Sequence, residues 1–183
     1  TEVADSAQVS GGRTSWGDAD EIEQEQVERQ MLNKLNKQFS TFCDASSAHT
    51  KNAVVFDSPF RNLGFSGISS RDNVYFMPTT NCLVSLIVSP FFIVTLDEVE
   101  IVVFERVAFS LRLFDITFVL KDYSKPQITI SAIPRDSLEA IKEWLDSCDV
   151  KYYTGGPHNV NWKAFMKDML EDVRGFWEDN GWA

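Results

Sequence analysis

The sequence predicts an α+β chain built on an antiparallel β-sandwich or barrel of about seven strands closed by a C-terminal helix. Three observations carry this. Six short apolar runs, "VYFMP", "CLVSLIV", "FFIVTL", "EVEIVVFE", "LFDITFVLK" and "QITISAI", follow at nearly even spacing, with Pro, Asn, Asp and Ser between them. Two of the runs alternate with a period of two, as half-buried strands do. The flanking segments instead repeat their apolar residues at helical spacing.

Residues 1–17 end in "VSGGRTSWG", small and polar with paired glycines, and read as loop. An amphipathic helix is expected over 18–43. Asp18 followed three places later by Glu21 is a helix-start signature, and Val27, Met31, Leu35 and Phe39 form a stripe that Leu32 and Phe42 widen. Asp18, Asp20, Glu21, Glu23, Glu25 and Glu28 load the first turns with negative charge. Two readings stand: a solvated helix start favoured by the dipole, or a docking surface for a basic protein.

"NAVVFD", Asn52 to Asp57, reads as a further short strand ended by Ser58-Pro59. "FRNLGFSGISSRDN" supplies turns pinned by Leu63, Phe65 and Ile68. In "EVEIVVFE", Val99, Ile101 and Val103 are expected on one face, with Glu98, Glu100, Val102 and Phe104 on the other. In "LFDITFVL", Phe114, Ile116, Phe118 and Leu120 share a face opposite Asp115 and Thr117. The expectation is a sheet wall with one face in the core. It leaves Asp97, Glu98, Glu100, Asp115 and Asp122 outside as candidate partner contacts.

Asp136 and Glu139 mark a second helix start, whose Leu138, Ile141, Leu145 and Cys148 form a stripe beside Trp144. That helix would close the sandwich. "KYYTGGPHNVN" reads as loop, and Trp162, Phe165, Met166, Met169 and Val173 mark a last helical segment. Phe176, Trp177 and Trp182 are read as core rather than as an anchor for a partner.

An apolar share of 44% and an aromatic share of 13% suit a packed core rather than a disordered chain. The formal charge of −10 argues against nucleic acid as the main partner and is compatible with a basic protein. Cys43, Cys82 and Cys148 are odd in number and far apart, which favours a reducing compartment over disulfides or zinc. No run is long and apolar enough to span a membrane, so no span is expected, and no membrane partner is assigned. His49 and His158 stand in polar sequence without ligands at suitable spacing, and Gly155-Gly156 lacks the lysine of a phosphate loop. Neither catalysis, a metal nor a cofactor is expected.

Several long stretches carry a resemblance: "PFRNLGFSGI", "MPTTNCLVSLIVSPFFIVTLDEVEI", "ERVAFSLRLFDITFVLKDYSKP", "IPRDSLEAIKEWLDSCDVKYY", "NVNWKAFMKDM" and "DNGWA". Together they resemble the middle domain of the large subunit of FACT, a histone chaperone complex, nearly from end to end. The resemblance implies tandem pleckstrin-homology-like modules. Residues 1–17 would be the end of a preceding module, 18–43 a linker helix, 52–148 the second module and 149–183 a C-terminal helical extension. "NAVVFD" would be its seventh strand.

It also implies a non-catalytic role in the nucleus, on the chromosome. There the domain would bind core histones and assist nucleosome disassembly and reassembly during transcription, replication and repair. The small FACT subunit would be reached through other regions of a longer chain. Relatives carry basic clusters around "GGRTSW" and after "ERQ"; here only Arg13 remains in the first, and the second reads Met31-Leu32-Asn33. No direct nucleic-acid contact is therefore expected. The candidate partner residues are Asp18, Asp20, Glu21, Glu23, Glu25, Glu28, Asp97, Glu98 and Glu100. The rival expectations are an architectural module with no ligand and a lipid- or phosphopeptide-binding pleckstrin-like domain.

Overall fold

A computed structural model describes residues 16–179 and 181–182, with side chains from Asp20 onward. The "VSGGRTSWG" loop reading lies largely outside the described residues. The chain divides into two compact units, Thr1–Phe56 and Asp57–Ala183.

The first unit is built on helix α1, Trp16–His49, six residues longer at its C-terminus than the sequence stripe predicts. Ala45, Ser46, Ser47 and Ala48 carry no apolar stripe, yet nothing in them breaks a helix. The stop comes from Lys51 and Asn52, which adopt φ of 52° and 62°. The Asn52 N–H donates back to the Ser47 carbonyl at 2.8 Å, and Thr50 Oγ1 donates to Ser46 O at 2.9 Å. Orphan carbonyls of the last turn are satisfied in this way. The expected strand over 52–57 is absent: a turn and bend through Val54 give way to irregular chain, with Val55 73% exposed and Phe56 edge-on to Phe42.

The second unit carries the sheet. Its strands are β1 (Phe65–Ser69), β2 (Asp72–Pro78), β3 (Cys82–Ser85), β4 (Phe92–Thr95), β5 (Val99–Glu105), β6 (Leu113–Leu120), β7 (Ile128–Pro134) and β8 (Tyr152–Thr154). They form one curled sheet in the order β4-β3-β2-β1-β7-β6-β5-β8. All pairings are antiparallel except β5 with β8. This is the predicted α+β, pleckstrin-homology-like architecture, with six strands where the apolar runs place them.

The seventh strand is β1, inside the stretch read as turns. A Cβ at Gly67 would lie 2.7 Å from Ile130 Cγ2, so glycine there lets β1 press against β7. The loop reading of "KYYTGGPHNVN" also gives way, because its first residues become β8 on the edge of β5.

Helix α2 (Leu138–Ser147) buries Leu138, Ile141, Trp144 and Leu145. Each such side chain contributes roughly 1.5–3 kcal/mol of burial. They join Phe65, Phe76, Phe104, Phe114, Phe118 and Ile133 in the main core. Trp144 is fully buried, and its indole N–H donates to Thr79 O at 2.8 Å, tying the helix to the end of β2.

The half-buried wall requires correction. Strands β5 and β6 are covered on both faces. The two strands slip register between Val99 and Ile101. Val99 therefore joins Val102 and Phe104 in the main core, while Ile101 and Val103 face the other way. There they meet Val119 and the C-terminal helices α3 (Trp162–Glu171) and α4 (Val173–Glu178) through Trp162, Met166 and Met169. The single expected terminal helix is two, broken at Asp172, whose carboxylate caps α4 through the Gly175 N–H.

Candidate partner-binding surfaces

The acidic residues of α1 stay in water. Asp20, Glu21, Glu23, Glu25 and Glu28 are all exposed, and no lysine or arginine forms an ion pair with them among the described residues. Asp18 lies on α1, but its side chain falls outside the described ones. The apolar stripe of the same helix is also exposed, with Val27, Met31, Leu35 and Phe39 at 50–64%.

On the second unit, Asp97 and Glu98 sit on a single 3-10 turn that carries the chain from β4 into β5. Glu98 lies 3.7 Å from Lys125, both side chains largely in water, a pair worth little on its own. The structure brings Asp97 and Glu100 to one hollow with Asp149, Lys121 and Lys151. An adjoining hollow adds Asp146, Tyr152, Trp177 and Trp182 to Glu100 and Asp149. Sequence reasoning missed Asp146 and Asp149. They sit at the C-terminal end of α2, where the helix dipole disfavours a carboxylate, and that placement was the available signal. Tyr152 donates to Asp146 Oδ2 at 3.3 Å; burial and the Asp146 charge push its phenol above the ordinary value.

Asp115 is not a surface contact. It is 3% exposed and holds Arg106 in a two-pronged pair of 2.7 and 2.6 Å. It also accepts the Ala132 N–H at 2.9 Å. Arg106 and Ala132 both have φ near +57°, and β6 slips against β7 at this point, so the carboxylate organises a double irregularity. The bond to Asp115 raises the Arg106 pKa, against some loss from burial. Asp122 is exposed and turned inward on its own loop, accepting from Ser124 N and Oγ; that bonding lowers its pKa.

Glu105 went unnoticed in the sequence. It is 3% exposed and accepts from Thr117 Oγ1 at 2.7 Å, Trp162 Nε1 at 2.6 Å and Val160 N at 2.7 Å. Thr117 Oγ1 lies 3.0 Å from Thr129 Oγ1, so the network crosses three strands. One carboxylate thereby fastens the loop before α3 to the sheet.

No group of three or more His, Cys, Asp and Glu that could hold a metal occurs among the described residues. Cys43, Cys82 and Cys148 are free thiols. The β1–β2 connection is Ser70-Arg71, a single cation where a phosphoinositide site would need several.

Two family models match the chain. "Histone chaperone Rttp106-like, middle domain" matches residues 66–154, from the second residue of β1 to the last of β8. "FACT complex subunit SPT16 PH-like domain" matches residues 1–46. Among curated relatives, FACT complex subunit SPT16 of Eremothecium gossypii is 45% identical over 168 residues, covering 92% of this chain and 16% of the relative. The Caenorhabditis elegans subunit spt-16 is 43% identical over 184 residues, covering 100% and 18%. The Saccharomyces cerevisiae subunit is 42% identical over 181 residues, covering 96% and 17%. The chain thus spans less than a fifth of their length. A chain of the solved "Structure of the Spt16D Pob3N heterodimer" overlaps 58% of this chain and 57% of its own at 13% identity and a TM-score of 0.37, too low to bear on the fold.

Proposed function

The chain belongs to the family of FACT complex subunit SPT16, and on that premise we propose that it is a non-catalytic histone-binding module of a FACT-type chaperone. The observation that carries this reading is 42–45% identity along nearly the whole chain to subunits of that name. In this reading the module works in the nucleus on chromosomes, meets core histones, and assists nucleosomes in coming apart and reassembling. The small FACT subunit engages other parts of the longer protein. No direct nucleic-acid contact is assigned to this segment.

The geometry fits that assignment. A net charge of −10 draws basic proteins over long range and speeds their encounter. The carboxylates Asp18, Asp20, Glu21, Glu23, Glu25 and Glu28 on α1, and Asp97, Glu98 and Glu100 on the sheet, are the proposed contacts. The module boundaries are proposals as well. Residues 1–17 are read as the end of a preceding pleckstrin-homology-like module and residues 18–43, within α1, as the linker helix that leads into the second. β1 to α2 form the second module, extended by β8, α3 and α4.

Binding of the chain to purified core histones over a salt series tests the reading. Association at low salt is expected, weakening as salt rises. Charge reversal at Glu21, Glu23 and Glu25 should lower affinity by about tenfold, a loss of ~1.4 kcal/mol. Unchanged affinity in the reversed variant would favour a purely architectural module, and pelleting with phosphoinositide liposomes would favour a lipid reader.

A further inference from the structure

Beside β8, a hollow of about 430 Å³ opens over the outer face of β5. Tyr153, Trp162, Phe165 and Trp182 line it, with Glu105 at its base and His158 on its loop side. The Trp162 and Phe165 rings meet edge to face at 82° with centroids 5.8 Å apart, and Phe165 meets Trp182 at 43° and 5.6 Å. Phe165 is therefore in ring contact with both tryptophans, of which Trp162 is itself buried, and the 59% exposed Tyr153 stands at the rim.

The charge at the base is unbalanced. Glu105 is buried, and its three partners, Thr117, Val160 and Trp162, are neutral donors. The neighbouring Arg106 is ion-paired with Asp115, and the Glu105 charge reaches it only without direct contact. No lysine or arginine forms an ion pair with Glu105 among the described residues. A buried anion without a cation is costly, and an aromatic-walled space above it suits a cation.

The hydrogen-bond count narrows the ligand further. A carboxylate offers about four acceptor sites, and here three are occupied. A bare lysine ammonium brings three donors and would leave most of them dry. A methylated ammonium brings charge with few or no donors, and it sheds water at small cost.

We propose that this hollow is a binding site for a methylated lysine side chain carried on a basic protein segment. That the carrier is a histone rests on the function proposed above; the preference for methylated ammonium rests on the hollow alone.

The test titrates the 183-residue chain with one basic peptide in three forms, bearing trimethyllysine, lysine or acetyllysine. Its own tryptophan fluorescence and calorimetry are the readouts, with unmodified core histones measured in parallel. The trimethyllysine form should bind about tenfold more tightly than either other form. Tyr153→Ala should abolish that preference, Tyr153→Phe should keep it, and Glu105→Gln should weaken it. Because Tyr153 stands largely in solvent, its variants leave the fold unchanged, which circular dichroism checks. Equal binding of the three peptides, no saturable binding, or a preference unmoved by Tyr153→Ala would overturn the site. If histones bind while the peptides are not distinguished, the site fails and the histone reading stands. If the peptides are distinguished while histones do not bind, the histone reading alone fails.

Discussion

Glu105 shows how a single carboxylate is asked to do more than its place in an apolar run suggests. Replacing it with alanine would strand Thr117 Oγ1, Trp162 Nε1 and the Val160 N–H in a buried site. Chemical denaturation should then register a loss of about 2–4 kcal/mol, against roughly 1–2 kcal/mol for Glu105→Gln, which keeps an acceptor. Asp57 acts at the surface. Burial alone would raise its pKa, but bonds from the Thr79 side chain and the Asn81, Ser58 and Thr80 amides outweigh that and lower it below the ordinary 3.8. A depressed carboxylate stabilises above its unfolded value and loses that contribution as pH falls through its folded one. The melting-temperature gap between the parent chain and Asp57→Asn should therefore be widest above pH 5 and close as pH drops below about 3.8. Neither role was legible beforehand: Glu105 ends an alternating run like any rim residue, and Asp57 finds Asn81 across 24 residues of chain.

At the level of elements, what the sequence revealed depended on whether a pattern had a period or clear bounds. The runs that became β2 to β7 were readable as short apolar blocks bounded by turn residues, and the stripe of α2 because its burial repeats every turn. β1 was hidden by Gly67, which a tight neighbour demands, and by its serines, which look like turn chemistry. β8 was hidden because three residues show no period and its pairing partner lies far away in sequence. "NAVVFD" misled in the opposite sense, since β-branched residues alone do not supply an edge to pair with. The second face of β5 could be inferred only by knowing that α3 folds back over it. Two outcomes follow at this scale. Trp144→Ala should cost about 3–5 kcal/mol in a denaturant titration, because it removes both the largest buried side chain of α2 and its bond to Thr79. Deleting residues 159–183 should uncover Ile101, Val103 and Val119. The shortened chain should then bind more of a hydrophobic dye and self-associate more strongly than the parent chain.

For the molecule as a whole, charge and exposure are distributed unevenly. Acidic residues crowd the first turns of α1 and the rim of the second unit, while the few buried ions, Asp115 and Glu105, hold loops in place. This separation makes salt a clean probe. Histone affinity should fall steadily between low and physiological ionic strength, while the denaturation midpoint of the free chain moves little over the same range. A basic protein as the proposed class of partner was legible from composition, since −10 formal charges disfavour most phosphate-binding roles. The location of contacts was not, because an acidic residue in water looks the same with or without a use.

Strand β5 is walled in by side chains on its two broad faces and by backbone on both flanks. The Val102 amide donates to Lys151 O beside the edge strand β8 and can open with it. The alternate amides of Ile101 and Val103 face β6, so deuterium reaches those two only when the second unit comes apart. Their swap rates in heavy water therefore give a direct gauge of its global unfolding free energy, free of any contribution from fraying ends.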